Sequence, residues 1–329
     1  MMDFLNKEQA IGRMNEWGAM GKPFFFLIDF DQVKCVVLPL DELLQSGIQL
    51  AMPSDVVCCS SNSTFLDHQI QLIPETYSFD AYKQQFDRVV SHIRAGDSFL
   101  VNLTCQTHVS LNVDLSTLYT AVEAKYKLLF EHQFLVFSPE TFVRIQDGVL
   151  SCCPMKGTLD AGIPNARELL MNHPKESAEH STIVDLIRND ISMVASDVRV
   201  TRFRYIEEIK AGDTALLQVS SEITGKLAQK YPKEIGDILF GLLPAGSVTG
   251  APKKRTVELI RATETYERGF YTGVFGTFDG VNLDSAVAIR FLEQTDQGLV
   301  YKSGGGITAQ SNLEDEYHEM LRKIYVPTH

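Results

Sequence analysis

The chain has 329 residues, 44% hydrophobic and 22% charged, enough to bury a large core in one domain or two intimate ones. Its formal net charge of −12 argues against nucleic acid or an anionic membrane surface as the main partner, because such surfaces call for clustered Lys and Arg. No apolar run nears the roughly 20 residues that span a bilayer, so no membrane role is expected.

Residues 1–20 carry Asp3, Glu8 and Glu16 and lack an apolar core, so no signal peptide is expected. The six cysteines are two vicinal pairs (Cys58-Cys59 and Cys152-Cys153) plus Cys35 and Cys105. They show no zinc spacing and read as reduced thiols of a cytoplasmic protein. Residues 23–39 read as two buried strands joined by the polar turn Asp31-Gln32. Residues 40–77 are weakly patterned, with Ser60-Ser61-Asn62-Ser63 as a loop. Phe79, Tyr82, Phe86, Val89, Val90 and Ile93 then recur at helical spacing, and Gly96 is placed to end that helix in a left-handed conformation. Phe99, Val101, Leu103 and Cys105 alternate as a strand.

Residues 134–137 and 142–145 read as strands, Asp147-Gly148 as a two-residue hairpin turn, and 149–155 as the returning strand, which puts Lys156 at its far end. Two readings fit a lysine followed by Gly157. One is a solvated strand-end charge; the other is a nucleophile, with glycine admitting a substrate and an apolar surround favouring the neutral amine. Spacing does not choose between them. Residues 165–195 turn helical, and Ile183, Leu186, Ile187, Ile191 and Val194 form one apolar stripe. That stripe also takes in Glu179, either as an inward carboxylate or as a first-turn acid favoured by the helix dipole.

Strands follow over 198–206 and 216–227, then a helix over 233–243. The next loop fails as a phosphate cradle, since Ala251 stands where a P-loop needs glycine and Pro252 lacks an amide donor. Gly273 and Gly276 make no dinucleotide fingerprint, so nucleotide binding is not expected. The remainder alternates as strands, with Asp279-Gly280 as a turn and Arg290 closing an apolar run. The bare amides of Gly304-Gly305-Gly306 suit a carboxylate, although a flexible connector fits too. Ser311 and Glu314 give a capping-box signature for a closing helix. On that helix Glu316, Glu319 and Lys323 share a face, as a surface ion pair or as part of a site. Carboxylates on separate helices suit Mg²⁺, which takes one or two protein carboxylates and completes its shell with water and an anionic substrate.

Ordered motifs run from Phe79 to Lys323: Gly96-Asp-Ser-Phe-Leu-Val-Asn-Leu-Thr104, Ser138-Pro-Glu140, Pro154-Met-Lys-Gly-Thr158, Ala178-Glu-His-Ser-Thr-Ile-Val-Asp-Leu-Ile-Arg-Asn-Asp190, Gly246-Ser-Val-Thr-Gly-Ala-Pro-Lys253, Arg268-Gly-Phe-Tyr-Thr-Gly273, Ala288-Ile-Arg290, Gly304-Gly-Gly-Ile307 and Glu316-Tyr-His-Glu319. Together they resemble the chorismate-utilising enzymes, which include anthranilate, aminodeoxychorismate, isochorismate and salicylate synthases. The resemblance implies an α+β, anthranilate-synthase-like chorismate-binding fold of two halves with orthogonal β-sheets flanked by helices. It divides the chain into a short β-rich region, 1–77, packed on a catalytic domain, 78–327. It also implies Mg²⁺ on Glu179 and Glu319.

Anthranilate synthases typically carry alanine where this chain has Lys156, and aminodeoxychorismate synthases carry lysine. The resemblance therefore implies component I of the latter kind, making a precursor of p-aminobenzoate and folate: Lys156 adds at C2 of chorismate, Glu140 protonates the departing C4 hydroxyl, and ammonia displaces the lysine. Thr158, Thr249, Arg290, Gly305, Gly306 and Lys323 would hold the substrate. No glutamine amidotransferase half is recognisable, so ammonia is expected from a separate small subunit or from free ammonium. Leu100 stands where related synthases have lysine or glutamine, and Gln218 where histidine is usual. Anthranilate synthase, isochorismate synthase and an inactive chorismate-binding subunit are the alternatives.

Overall fold

A capping box starts the first helix of the computed structural model, which describes residues 3–53, 57–58, 70–172, 174–211 and 214–327. In α1 (Lys7–Ala19) the Asn6 side chain accepts the Gln9 amide at 2.9 Å and the Gln9 side chain accepts the Asn6 amide at 3.0 Å. Its buried positions, Ala10, Met14 and Gly18, are too small and sparse to have announced a helix in the sequence. The apolar run that follows forms β1 (Phe24–Ile28) and β2 (Cys35–Pro39) as expected. β1 is buried on both faces, with Phe24, Phe26 and Ile28 in one core and Phe25 and Leu27 in another.

The weakly patterned stretch supplies β3 (Ile48–Ala51), β4 (Val57–Cys58) and β5 (Leu72–Pro74). The expected loop at Ser60-Ser61-Asn62-Ser63 lies outside the described residues. Helix α2 (Phe79–Arg94) is capped by Ser78 and closes at Gly96, φ +85°. β6 (Leu100–Leu111) and α3 (Leu115–Ala121) lead to β7 (Tyr126–Phe130), β8 (Phe134–Ser138), β9 (Thr141–Gln146) and β10 (Val149–Cys152). The strand expected over 149–155 is in fact two. Pro154 has no amide to donate, the ladder breaks there, and Lys156 belongs to β11 (Met155–Asp160), close to its start rather than at a hairpin's far end.

Helices α4 (Ala166–Asn172) and α5 (Pro174–Ser192) precede the long hairpin of β12 (Ser196–Ala211) and β13 (Thr214–Lys226). Then come α6 (Ile235–Leu242), β14 (Gly250–Ala251), α7 (Lys253–Thr263), β15 (Val274–Phe278), β16 (Leu283–Val287), β17 (Phe291–Thr295), β18 (Gly298–Ile307) and α8 (Leu313–Arg322). The N-cap of α8 is Asn312, not Ser311: the helix starts at Leu313, and the Asn312 side chain accepts the amides of Glu314 and Asp315.

Among the described residues the strands make two antiparallel sheets flanked by helices, an α+β architecture. The first runs β11-β13-β10-β9-β16-β15-β1-β2, with β12 on the other edge of β13. The second runs β14-β6-β18-β17-β8-β7-β3-β4, with β5 on β6. Phe25, Leu27, Tyr126, Phe134, Phe275 and Phe291 belong to one core shared by both sheets. α1, α5 and α6 cover the first sheet, and α2, α7 and α8 cover β6 and β18 of the second.

Two crossings between the sheets position the site. The chain leaves the second sheet after β8 and enters the first at β9 through Pro139-Glu140; it returns from β16 to β17 through Ala288-Ile289-Arg290. The crossings are bonded side by side, the Phe137 amide donating to the Arg290 carbonyl at 3.2 Å and the Val287 amide to the Glu140 carbonyl at 3.1 Å.

Gly304 has no room for a side chain: an added Cβ would lie 2.7 Å from both Cα and Cγ2 of Thr104, and nearer still to the Leu103 carbonyl on β6. Gly304→Ala should therefore lower unfolding stability by roughly 2–4 kcal/mol in urea titration. Gly12→Ala, on the open face of α1 with nothing within 4 Å, should raise it by about 0.5–1 kcal/mol.

Candidate active site

Between the ends of the two sheets lies a cavity of about 510 Å³ whose floor is β18. Alternation along that strand turns Gly305 and Gly306 to different walls. A Cβ on Gly306 would lie 3.8 Å from Lys156 Nζ and 3.1 Å from Leu100 Cδ1. One on Gly305 would lie 3.6 Å from both Glu316 Oε2 and Glu319 Oε1, and 3.7 Å from Lys323 Nζ. The bare strand therefore presents amides and carbonyls at van der Waals range of an amine on one side and of acids plus a second amine on the other.

Lys156 is delivered by β11, an edge strand whose register with β13 shifts between Lys156 and Thr158 around Gly157, φ +69°. Among the described residues its amine makes no hydrogen bond or ion pair, although it lines the cavity. Lys323 is committed, donating to the Gly304 carbonyl at 2.8 Å and pairing with Glu319 at 2.8 Å. Burial pushes its amine down, against the pull of Glu319. The Glu319–Lys323 pair thus forms part of the cavity wall.

Arg290, at the second crossing, has φ +54°, a left-handed conformation rare for a residue with a side chain. Its guanidinium lies 5.1 Å from the Tyr325 ring, and its buried Nε has no hydrogen-bond partner among the described residues. Glu140, at the first crossing, accepts a hydrogen bond from Ser247. Burial raises its pKa, outweighing the Ser247 hydroxyl and the charges of Lys156, Arg290 and Lys323. A carboxyl held towards its protonated form beside an uncommitted amine is an acid next to a nucleophile.

Four carboxylates reach the cavity in two pairs, Glu176 and Glu179 from α5, Glu316 and Glu319 from α8. Glu179 and Glu319 stand where their helix faces predicted. Glu316, one turn ahead of Glu319, was read only as sharing its face, and Glu176, one turn ahead of Glu179, was not singled out, although the repeated i, i+3 spacing on both helices is a legible signal. These hard oxygen donors fit Mg²⁺. Among the described residues no three carboxylates, imidazoles or thiols form a group that could hold a metal ion.

Thr249 is not brought to the cavity: it is fully buried, and its hydroxyl donates to the Ala245 carbonyl at 2.7 Å. Thr158 pairs through its backbone with Gln218; its side chain lies outside the described residues. Tyr271, Ser247, Gln218 and Lys302 also line the cavity, without having been singled out as site residues. The Lys302 amine is held below by Glu293 at 2.6 Å and by the carbonyls of Glu267 and Arg268. His180, next to Glu179, is buried with Nε2 2.6 Å from Ser221 Oγ, and burial pushes it down to about 4, so it stays neutral at pH 7.

A sequence profile of the family described as chorismate binding enzyme matches residues 41–329. The chain is 46% identical over 318 residues to an uncharacterized PabA-like protein of Pasteurella multocida (strain Pm70), covering 96% of this chain and 98% of that one. It is 33% identical over 266 residues to aminodeoxychorismate synthase component 1 of Bacillus subtilis (strain 168), covering 76% of this chain and 55% of that one, about half its length. The fold matches the crystal structure of anthranilate synthase component I from Streptococcus pneumoniae TIGR4 with a TM-score of 0.63 and 27% identity, covering 78% of this chain and 58% of that one.

The raised Glu140 carboxyl has a stability consequence. A carboxyl whose folded pKa exceeds its unfolded value of about 4.3 favours the fold below that value and loses the contribution as pH rises through the folded pKa. Glu140→Gln, which cannot ionise, should therefore gain thermal stability relative to the native chain as pH rises from about 4 to 8. Parallel melting curves across that range check the sign; a gap that narrows with rising pH would contradict it.

Proposed function

This chain belongs to the chorismate binding enzyme family, and on that premise we propose that it is an aminodeoxychorismate synthase component I, aminating chorismate at C4 for p-aminobenzoate and folate synthesis. The observation that carries the reading is the uncommitted Lys156 amine, which lies beside the bare backbone of Gly306 in a cavity that also holds Arg290 and Lys323. Two fixed cations suit a dicarboxylate, and an amine without an ion pair is free to form a bond.

In this reading Lys156 Nζ bonds to C2 of the ring as both conjugated ring double bonds shift by one position and the C4–O bond breaks. Glu140 gives its proton to the departing hydroxyl, which leaves as water. Ammonia then bonds to C4 while the C2–N bond breaks, returning a neutral lysine. The proton shed by the new C4 ammonium restores Glu140. Arg290, the amides of Gly305 and Gly306, and Lys323 hold the carboxylates in place. Glu179 and Glu319 would hold Mg²⁺, with Glu176 and Glu316 beside them; the cation neutralises a substrate carboxylate when bound. A glutamine amidotransferase subunit is the proposed ammonia source, and the cytoplasm the proposed compartment.

Incubation with chorismate, Mg²⁺ and ammonium, with products identified by mass spectrometry, tests the assignment. Aminodeoxychorismate is expected; anthranilate with pyruvate would instead favour amination at C2 and overturn it. Lys156→Ala should lose about a thousandfold or more in kcat while still binding chorismate. Unchanged turnover would remove the covalent step. Glu179→Gln and Glu319→Gln should each need about tenfold or more Mg²⁺ for half-maximal activity; a titration curve like that of the unsubstituted chain would take either residue out of the metal site.

A further inference from the structure

Ser303 stands on β18 directly before the bare glycines, is 3% exposed, and lines the cavity. Its Oγ is buried and has no hydrogen-bond partner among the described residues. A buried hydroxyl without a partner is costly, and folded chains seldom keep one unless water or a ligand completes it. Across the ladder Ser303 faces Cys105, whose thiol donates to the Gln85 side chain. Successive strand residues point to opposite faces, so Tyr301, Ser303 and Gly305 share one face, spaced about 7 Å apart. At the Gly305 end of this row Lys323 Nζ lies 3.7 Å from where the missing Cβ would be. At the other end Tyr301 donates to the Tyr325 carbonyl at 3.0 Å, and the Tyr325 ring lies 5.1 Å from the Arg290 guanidinium. Ser303 is thus the middle of a row with a cation near each end. Arg290 Nε, in the lining of the same cavity, is likewise a buried donor without a partner among the described residues.

We infer that Ser303 is a specificity-determining residue whose hydroxyl donates to the side-chain carboxylate of the substrate, an inference that rests on the chorismate site proposed above. Two buried donors that lack an acceptor, with cations at both ends of the row, call for an anionic oxygen. Chorismate carries two carboxylates, one on ring carbon C1 and one on the enol ether at C3. The cation proposed on Glu179 and Glu319 takes one of them, and Lys156, which has to reach C2, stands next to C1. The carboxylate on the ether is then left to Arg290. A guanidinium binds a carboxylate through parallel donors and leaves other lone pairs open, and a hydroxyl beside it can fill one of these. That carboxylate does not react, so the contact is the same in the ground and transition states and acts on affinity. The hydroxyl therefore separates ligands that carry a second carboxylate from those that do not.

Two aromatic probes that differ in one group test this. The first, 3-(carboxymethoxy)benzoate, carries both carboxylates, on the positions that match C1 and C3; the second, 3-methoxybenzoate, lacks the one on the ether. Isothermal titration calorimetry with Mg²⁺ measures the Kd of each for the unsubstituted chain and for Ser303→Ala. In the variant the Kd of the dicarboxylate should rise about tenfold, while that of the monocarboxylate stays within twofold. A water that alone satisfied the hydroxyl would leave both constants within twofold, and that result overturns the inference. An equal rise for both probes would put the hydroxyl on the ring carboxylate and overturn it as well. Alanine is smaller and breaks no hydrogen bond within the described residues, so the ligand-free melting temperature of the variant should equal or exceed that of the unsubstituted chain. A fall of about 3 °C or more would show the hydroxyl engaged in the fold itself, which also overturns its role toward substrate. None of these readouts needs turnover, so a chain that releases anthranilate and pyruvate overturns the proposed function and still reports on Ser303.

Discussion

A three-residue stretch of strand without side chains, Gly304-Gly305-Gly306, holds this site together. Gly304 has to be bare because β6 lies against it, and Gly305 and Gly306 extend the same bare backbone into the cavity. Three elements that share no local sequence, β11 with Lys156, β6 with Leu100 and α8 with its acids and Lys323, all come to rest within 4 Å of where those two missing Cβ atoms would be. Glycine in a strand costs about 0.5–1 kcal/mol per residue relative to alanine. Nearby, Lys302 is 2% exposed and anchored to Glu293, while Arg268 and Glu264, also 2% exposed, pair at 2.6 Å. Arg268 further donates to the carbonyls of Val248 and Asn102, and Glu264 accepts from Thr104. A buried charge network satisfied at this many points is rigid, and breaking one partner would leave the other charge uncompensated.

The sheet crossings do for Glu140 and Arg290 what the glycines do for the walls. A side chain within a regular ladder is confined to one face of one sheet, whereas a residue at a crossing can point into the space between two. Hydrogen bonds tie each crossing to the other, so the acid and the guanidinium are placed by the same few backbone contacts. The electrostatics follow from this depth. Burial raises Glu140 and lowers Lys323, and in each case the opposite charges nearby only partly counter it. Both groups are drawn toward their neutral forms, the direction that proton transfer between neighbours requires.

Much of this was legible locally. The α2 stripe, the long apolar face of α5, the paired strands of residues 23–39 and the Asp147-Gly148 and Asp279-Gly280 turns all depend on neighbours in sequence, and the structure reproduces them. The break at Pro154 was readable from proline chemistry yet was passed over, and with it the true strand of Lys156. α1 and β14 went unread because their apolar patterns are short and small. Which sheet a strand joins is not written in its own alternation: β8 and β9 look like successive hairpin strands but lie in different sheets, since pairing is decided by partners far along the chain. The site divided in the same way. Facing on a helix exposed Glu179 and Glu319, whereas Thr249 could not be dismissed until its hydroxyl was seen to be engaged by Ala245. For Lys156, its expected strand-end position favoured a surface charge over a nucleophile, and only the resemblance of the surrounding motifs preferred the second.

Leu100 and Gln218, the two departures from the family pattern, both neighbour the Lys156 segment. Leu100 is 3% exposed, packed in the core with Phe142 and Ile183, and its Cδ1 and Lys156 Nζ flank the same point on Gly306. A hydrocarbon there offers the amine no hydrogen bond and gives a water no place to be held. Gln218 lines the cavity, where an imidazole would place a titrating group; an amide stays uncharged at every working pH. The two replacements therefore act in one direction: neither side chain can exchange a proton near Lys156, whereas burial holds the Glu140 carboxyl toward its protonated form.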